Sequence, residues 1–424
     1  MDTQVVRTRA EAASVLFVHD GENWIRGSER CMLDLVRHID RRFFRPVVLC
    51  DSPLVAEAAR DAGATAHLMD GWNEAGQHLL PSRRQARAVR AILDRHDVKL
   101  VHCNSALPIK ALLPGTRARR IPLLAHLHII HPLHTRLYLA VHQVSLAVGV
   151  SEATVAGLRN DGMAAHRLRV THNAVDPERM ERGDASRLRG ELGLSEQDTT
   201  LVALGSLIPR KGVDVLIDAM AILGQTNPDV HLLVIGEGTH RSALEHQAAC
   251  LGLQRTVHFL GEQADIGAIL RDAGDIAVSA ARQEAFPLNL LEAGYCGMPI
   301  LASNIPPHRE SIVDGETGIL VTPDSPADFA RNVQWLLSTP TRGRDMGARG
   351  SMRVRGEFLL EHYVAAFEHT YLELMARSPR AYGWLAGSSW PPVYSRWLTM
   401  AAGRRLGRLL KKSSFGEKSG GGED

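Results

Sequence analysis

The sequence predicts an α/β protein of two domains, each built on a doubly wound parallel sheet, that face a central cleft. The chain has 424 residues, which exceeds what one hydrophobic core supports, so two domains of roughly 200 residues each are expected. Short β-branched runs alternate with longer helical patterns, which is typical of βαβ units. A polar stretch rich in Arg and Asp, residues 177–198, separates two such regions and predicts the linker.

The first domain is predicted at residues 1–185. Its β-branched runs and helical periodicity predict alternating elements in the order expected for a parallel sheet. These are strands at 14–19 and 45–50, helices at 29–39 and 82–95, and strands at 100–102, 123–128 and 144–150. The strand at 144–150 is predicted to close this sheet.

The second domain is predicted at residues 186–378, where the same alternation restarts. It predicts a second doubly wound sheet. Its elements are a strand at 201–205, a helix at 213–223, a strand at 231–235, a helix at 241–251 and strands at 257–260 and 276–279.

The composition excludes several classes of function. The formal net charge of +2, from 49 Lys and Arg against 47 Asp and Glu, gives no electrostatic basis for a nucleic-acid partner. The five cysteines include no C-x-x-C pair, and their odd number argues against a disulfide framework and for a reducing compartment. No window approaches the roughly 18 apolar residues of a transmembrane helix. We therefore expect a cytoplasmic protein.

Two carboxylates eight positions apart carry the strongest chemical signal. Pro287 suits the start of a helix and Gly297 its end, so Glu284 is predicted in the preceding loop and Glu292 on the second helical turn. The start of such a helix offers free N–H groups to a phosphate, and the two acids can accept hydrogen bonds from sugar hydroxyls. This arrangement suits a sugar nucleotide. A surface acid and a helix acid in ordinary salt bridges are the structural alternative.

The sequence around these acids resembles glycosyltransferase family 4, whose donor domain carries an E-x7-E motif. The resemblance rests on residues 284–287, 291–294, 297–300, 302–304 and 314–318. It implies the GT-B fold of two Rossmann-like domains, and transfer of a hexosyl group from a nucleotide diphosphate sugar with retention of configuration. It also implies that Glu284 contacts the transferred sugar and Glu292 the ribose. Further donor contacts are expected from the same motif at Phe286, Leu288 and Asn289.

A second motif lies at residues 205–212, between a predicted strand and helix at the carboxyl edge of the second sheet, where ligands of open α/β sheets gather. The resemblance implies that Lys211 binds the diphosphate, and a lysine there can replace a divalent metal as the group that stabilises the leaving phosphate. The family commonly has Arg where this chain has Ser206. Arg210 is expected in a supporting role, and no cofactor or metal is expected. The alternative for Lys211 is a solvated loop lysine.

In the first domain, Gly27 and Ser28 open a predicted helix after a strand and loop, and resemble the glycine-rich acceptor-side loop of the family. An ordinary helix start is the alternative. The family also places a histidine at the end of the strand at 123–128, near the transferred sugar. His128 is the better positional match and His126 the second.

A zinc site is the alternative interpretation of these histidines, because His126, His128, His131 and His134 are close in sequence. Zinc sites usually also use a cysteine or carboxylate. No such residue lies nearby in the sequence, and a shared strand face that lines the cleft explains the first two histidines equally well.

Residues 379–424 differ in composition from the rest of the chain. Trp384, Trp390 and Trp397 precede a basic run at 404–412. This combination suits an anionic membrane surface at the inner face of the membrane, and docking on the first domain is the alternative. The expected partners are thus a nucleotide sugar, a glycan or lipid-linked acceptor, and a membrane surface.

The resulting hypothesis is a glycosyltransferase of cell-surface or lipid-linked glycan synthesis. Two other interpretations stay open. One is a non-catalytic paralogue that binds sugar nucleotides without turnover. The other is a sugar-nucleotide epimerase on the same fold, which would need acid and base groups on either side of one sugar carbon.

Overall fold

The computed structural model of the protein describes residues 11–69 and 83–377, so the tail predicted at 379–424 lies outside the described residues. The described residues form two parallel sheets of seven and six strands. Among them, no helix is long and apolar enough to cross a membrane.

The first sheet has the strand order β3-β2-β1-β4-β5-β6-β7. All of its strands pair in parallel. In chain order they are β1 (Ala13–His19), β2 (Phe44–Cys50), β3 (Thr65–Leu68), β4 (Val98–Cys103), β5 (Leu123–Leu127), β6 (Leu146–Gly149) and β7 (Leu168–Val170). The order reverses between β1 and β4, and such a switch point creates a ligand-binding crevice at the carboxyl ends of the strands.

Helices cover both faces of this sheet, as the strand β1 shows. Val15 and Phe17 enter one apolar core and Leu16 and Val18 another, so neither face meets water. The helices between the strands are α1 (Gly27–His38), α2 (Pro53–Asp61), α3 (Arg83–Arg95), α4 (Ile109–Arg119), α5 (Leu133–Tyr138) and α6 (Glu152–Asn160). The start of α2 is fixed locally, because the Ser52 hydroxyl accepts the N–H of Val55.

The second sheet repeats this design with the strand order β10-β9-β8-β11-β12-β13. Its strands are β8 (Thr199–Leu204), β9 (Val230–Ile235), β10 (Val257–Gly261), β11 (Ile276–Ser279), β12 (Ile300–Ser303) and β13 (Ile319–Val321). The switch point lies between β8 and β11.

Two short helices, α7 (Pro177–Glu181) and α8 (Leu188–Glu191), occupy the stretch that was predicted as the linker. The helices of the second domain follow. They are α9 (Val213–Leu223), α10 (Arg241–Cys250), α11 (Ile266–Asp272), α12 (Leu288–Tyr295), α13 (Pro306–Ser311), α14 (Pro326–Ser338) and α15 (Pro340–Glu357).

The last described helix, α16 (Leu360–Ala376), returns to the first domain. Phe367 and Tyr371 lie in the same apolar core as Phe17 of β1 and Leu100 of β4. The chain enters α16 through a parallel bridge between Val175 and Leu359. The second domain predicted at 186–378 includes α16, but the apolar face of α16 packs on the first sheet.

The sequence prediction is wrong about the edge of the first sheet. The strand predicted at 144–150 does not close it, because β7 pairs with β6 beyond that strand. The strands β3, β12 and β13 were also not predicted. The edge strands β3 and β7 contain no fully buried residue, so they lack the continuous apolar run by which a buried parallel strand is recognised.

Candidate functional site

A glycine-bounded loop follows β8 at the switch point of the second sheet. Gly205 has φ +146° and Gly212 has φ +68°, which are conformations that glycine adopts most readily. A Cβ on Gly212 would lie 2.0 Å from the carbonyl oxygen of Ala280. Only glycine therefore fits there, and this fixes the end of the short 3-10 turn Pro209–Lys211.

The loop brings Lys211 to the first acid of the motif. Lys211 Nζ donates a 2.6 Å hydrogen bond to Glu284 Oε1, and Arg210 Nη1 donates to Glu284 Oε2 at 3.1 Å. The Glu284 side chain is 10% exposed. Two cations thus surround one anion, which leaves an excess positive charge beside a pocket lined by Gly205, Ser206, Lys211, Ser279 and Asn289. The structure brings Glu284, Lys211 and Arg210 together, and Ser206 lines the same pocket as Lys211.

Helix α12 places the rest of the motif. Pro287 caps the helix, Glu284 lies in the loop before it and Glu292 on its second turn. The Asn289 amide donates to the carbonyl of Leu204 at 2.8 Å, which ties the start of α12 to the end of β8.

Two predicted donor contacts in this motif have environments that differ from each other. The Phe286 side chain is buried and stacks on His172, with ring centroids 4.7 Å apart. Only its backbone can therefore meet a donor. Leu288 is half-buried at the first turn of α12 and is accessible.

Glu292 lies in a separate cluster, between the domains. Its Oε1 is 3.5 Å from Arg179 Nη2 and 3.8 Å from Arg30 Nη1, and Arg30 belongs to α1 of the first domain. Burial raises the pKa of Glu292, while Arg179 and Arg30 oppose this rise. Its Oε1 has no hydrogen-bond partner among the described residues. This buried carboxylate thus keeps an oxygen with unused hydrogen-bonding capacity.

Sequence reasoning missed both arginines, because they lie outside the motif and come from other elements. It also missed His308, which is fully buried and whose Nδ1 lies 2.7 Å from the carbonyl of Ser303. Burial lowers the pKa of His308 to about 4. The charge of Glu284 opposes this lowering of the pKa of His308, and the charge of Lys211 adds to it.

On the first domain, the two candidate histidines differ in environment. His128 is half-buried just beyond the end of β5, and its Nε2 lies 3.0 Å from Asn104 Oδ1. Burial lowers its pKa to about 3. His126 is fully buried among aromatic rings, and its ring centroid lies 4.9 Å from that of Phe367. Burial lowers the pKa of His126 well below the usual range. Of the two, only His128 is accessible to a ligand.

The histidines that suggested zinc do not form one cluster. His134 is exposed on α5, whereas His126 lies in the core. Across residues 11–69 and 83–377, no group of three or more His, Cys, Asp or Glu side chains is arranged to hold a metal ion.

Gly27 and Ser28 form the first turn of α1. A Cβ on Gly27 would meet nothing within 4 Å, so packing does not require glycine there. Ser28 supplies its carbonyl oxygen to the amide of Asn104 at 3.0 Å, and its hydroxyl donates to Glu29 Oε1 at 2.9 Å. This turn is thus hydrogen-bonded to the residue that contacts His128.

Behind this turn lies a polar network that the sequence analysis also missed. His19 Nε2 is 2.9 Å from Glu29 Oε1, and Asn104 Nδ2 is 3.2 Å from His19 Nδ1. Burial raises the pKa of Glu29, but His19 and the Arg26 N–H lower it to about 2. His19 ends β1 and Asn104 directly follows β4. The rule that ligands gather at the carboxyl ends of strands could have identified both.

Two doubly wound domains whose polar strand ends meet across a cleft define the GT-B class of glycosyltransferase folds. The model for Glycosyl transferases group 1 matches residues 184–353, and the model for Glycosyltransferase Family 4 matches residues 25–179. Together they match well over half of the chain, with one model on each domain. The chain belongs to the family 4 glycosyltransferases.

Curated relatives agree with this membership. The chain is 32% identical over 261 residues to a D-inositol 3-phosphate glycosyltransferase of Geodermatophilus obscurus, covering 58% of this chain and 56% of that protein. It is 27% identical over 290 residues to the GDP-mannose-dependent alpha-(1-6)-phosphatidylinositol monomannoside mannosyltransferase of Mycolicibacterium smegmatis, covering 64% and 76% respectively. The chain spans little more than half the length of the D-inositol 3-phosphate enzymes that it matches.

Solved structures share the fold. HepE of Anabaena in complex with UDP superposes with a TM-score of 0.74 at 22% identity, covering 85% of this chain and all of that one. A glycosyltransferase from Rickettsia africae superposes with a TM-score of 0.76 at 17% identity, covering 87% and all of that chain. At these identities the likeness concerns the fold alone.

Proposed function

We propose that the chain is a retaining, metal-independent glycosyltransferase that moves a hexosyl group from a nucleotide diphosphate sugar to an acceptor hydroxyl. The observation that carries the proposal is the pairing of Lys211 and Arg210 with Glu284 beside Gly205 and Ser206, at the switch point of the second sheet. The two cations carry more positive charge than one carboxylate neutralises and can therefore bind a diphosphate, and each oxygen of Glu284 that they release can accept a hydrogen bond from a sugar hydroxyl.

In the proposed reaction, the bond between the sugar C1 and the phosphate oxygen breaks while a bond from C1 to the acceptor oxygen forms on the same face. The acceptor proton passes to the departing phosphate oxygen. Lys211, with Arg210 in support, stabilises the negative charge that develops on the diphosphate. Arg210 donates to the Gln283 carbonyl at 3.2 Å and so is oriented toward the site, which makes it the candidate to compensate for Ser206.

Each remaining site residue has a binding role in this proposal. Glu292 accepts hydrogen bonds from the ribose, and Leu288 and Asn289 contact the donor at the start of α12. His128 contacts the transferred sugar from the opposite domain, and Gly27 and Ser28 border the acceptor. The protein thus supplies orientation and charge stabilisation rather than a nucleophile.

The acceptor class is proposed from the relatives. They include a D-inositol 3-phosphate glycosyltransferase, a phosphatidylinositol monomannoside mannosyltransferase and the glycosyltransferase EpsD of Bacillus subtilis. We place this chain in cell-surface or lipid-linked glycan synthesis at the cytoplasmic side of the membrane. The tail at residues 379–424 is the proposed membrane contact.

Incubation with a panel of UDP-, GDP- and ADP-sugars and polyol or alkyl-glycoside acceptors tests this function. One donor class is expected to raise the melting temperature and to release its nucleotide. Lys211→Ala should lower turnover by about 10²–10³, as for other groups that stabilise a developing anion. Lys99→Ala is the matched control, because Lys99 forms an exposed pair with Asp97 at 2.7 Å on the first domain, and its turnover should not change.

Other outcomes identify the rival functions. Thermal protection without nucleotide release from any combination would indicate the non-catalytic paralogue. Conversion of the donor to a stereoisomer would indicate the epimerase. Full turnover in Lys211→Ala would remove the diphosphate role from this lysine.

A further inference from the structure

Four side chains of the first domain form one continuous polar chain behind the cleft. It runs from His128 through Asn104 and His19 to Glu29. The three contacts measure 3.0 Å, 3.2 Å and 2.9 Å. Asn104 and Glu29 are 1% and 4% exposed, and His19 is 3% exposed, so hydrogen bonds within the protein and not water determine the orientation of these groups.

The backbone fixes the orientation of the Asn104 amide. Its nitrogen lies 3.0 Å from the carbonyl oxygen of Ser28, which can only accept. Nδ2 is therefore the donor at that side, and its second N–H faces Nδ1 of His19. The amide oxygen consequently faces Nε2 of His128. The backbone of Asn104 is also held in place, because its main-chain N–H donates to the carbonyl of Val18 at 2.8 Å.

This orientation determines where the protons lie on both imidazoles. His19 Nδ1 accepts from Asn104, so the ring proton of His19 lies on Nε2 and faces the Glu29 carboxylate. The oxygen of Asn104 can only accept, so His128 must donate to it from a protonated Nε2. The N–H groups of His128 and Asn104 then point along this polar chain toward His19, whose Nε2 lies 2.9 Å from Glu29 Oε1 without forming a hydrogen bond to it. An anion at one end of such a chain polarises each hydrogen bond along it.

We propose that Asn104 and His19 are positioning residues that hold His128 in the tautomer protonated on Nε2, so that Nδ1 accepts a hydrogen bond from a hydroxyl of the transferred sugar. The inference rests on the proposed function for the identity of that ligand. Nδ1 of His128 has no hydrogen-bond partner within the part of the chain that the structure describes. His128 itself is half-buried at the strand end, so the accepting atom is available to the cleft.

The charge state of His128 agrees with this geometry. Burial, together with the nearby His19, lowers its pKa to about 3, although Glu29 opposes the shift. A neutral imidazole has two tautomers, and a hydrogen bond to one nitrogen selects between them. Without Asn104, the two tautomers would differ little in energy and Nδ1 would accept a hydroxyl only part of the time.

Nitrogen NMR of the full-length protein labelled on histidine measures the tautomer directly, with His128→Gln to assign the signals. The wild type should show one His128 tautomer, with a protonated Nε2 and an unprotonated Nδ1. Asn104→Leu, which keeps the volume and removes the acceptor, should yield a mixture.

Asn332→Leu is the matched control. Asn332 also donates its amide to a backbone carbonyl, that of Asp328 at 2.8 Å, but lies on α14 of the second domain. The NMR signals of His128 in the Asn332→Leu variant should match those of the wild type. Asn104→Ala carries the same expectation as Asn104→Leu and serves if the leucine variant does not fold. A single unchanged tautomer in folded Asn104→Leu or Asn104→Ala would overturn the proposal.

Donor binding and kinetics complete the test. The nucleotide sugar that the panel identifies should shift the Nδ1 signal of the wild type, whereas its nucleoside diphosphate alone should not, and an equal shift with both would overturn the sugar contact. Turnover of Asn104→Leu should fall by about 10-fold to 100-fold, the loss typical of a group that fixes the tautomer of a functional histidine, whereas its KM for the donor should change little.

The tautomer is measured without substrate, so the two proposals fail separately. A fixed tautomer in a protein that transfers no sugar would contradict the proposed function and leave the role of Asn104 intact. An active enzyme with mixed tautomers of His128 would contradict only the present inference.

Discussion

Glu284 and Glu292 belong to one sequence motif but have different neighbours in the fold. Glu284 accepts hydrogen bonds from Lys211 and Arg210 at the end of β8. Glu292 is buried between Arg179 and Arg30, at distances of 3.5 Å and 3.8 Å that give charge attraction without hydrogen bonds. The two acids are therefore suited to different parts of one extended ligand.

This difference predicts different effects of substitution. Glu292→Ala should weaken donor binding, because the hydrogen bonds to the ribose that the proposed function assigns to it would be lost. Glu284→Ala should mainly reduce turnover, because the proposed function gives its carboxylate a contact with the transferred group. Calorimetric donor affinity and turnover, measured on both variants, separate the two effects. Unchanged affinity and full activity in both would contradict the assignment, and thermal unfolding must confirm that each variant is folded.

The two histidines of β5 and its end predict a second contrast. His128→Ala should impair transfer with little change in the free energy of unfolding, because His128 is half-buried at the cleft. His126→Ala should mainly destabilise the protein, since it leaves a cavity next to Phe367. Turnover and urea unfolding of both variants check this. Added chelator should not change the turnover of either variant. Activity that a chelator reduces would restore the zinc hypothesis.

At the scale of elements, the loop between β8 and α9 depends on the absence of a side chain at Gly212. The loop carries Lys211, and the carbonyl of Ala280 occupies the place of a Cβ at Gly212. The position of the Lys211 ammonium group therefore depends on how closely this loop approaches Ala280, directly after β11.

Gly212→Ala and Gly193→Ala form a matched pair that tests this packing. Both glycines have nearly the same φ, +68° and +69°, but a Cβ on Gly193 would meet nothing within 4 Å. Gly193→Ala should lower the free energy of unfolding by only about 1–2 kcal/mol, the cost of placing alanine in a left-handed backbone conformation. Gly212→Ala should lower the free energy of unfolding by more than this. It should also abolish thermal protection by the donor, because the loop that carries Lys211 must move away from Ala280. Equal losses of stability and intact protection would show that the contact with Ala280 does not hold the loop.

The elements also show what the sequence could predict. The helix at 213–223 and the strand at 276–279 have the predicted bounds, because buried apolar residues recur at helical spacing in the first and follow one another in the second. The resemblance implied that Lys211 and Glu284 bind parts of one donor, and the structure brings their side chains within 2.6 Å. The arginines around Glu292 were not, since Arg30 and Arg179 lie far from it in sequence and approach only when the domains pack together.

At the scale of the whole molecule, the tail at 379–424 lies outside the described residues, and its role stays a prediction from sequence. Trp384, Trp390 and Trp397 precede basic residues, so the intact protein should sediment with anionic vesicles at low salt. A version ending at residue 380 should not. Neutral vesicles are the control for charge. Identical sedimentation of the two proteins would leave the lipid-linked acceptor without support from the tail.

Because α16 packs on the first sheet, the ribosome makes the two ends of that core at different times. Phe17 and Leu100 emerge early, whereas Phe367 and Tyr371, which share their core, emerge only after the entire second domain. Domains generally fold during synthesis in chain order, the N-terminal one first. Here residues 186–358 contain a continuous sheet, so we expect the second domain to become protease-resistant on chains arrested before α16 while the first stays sensitive, which inverts the usual order of co-translational folding.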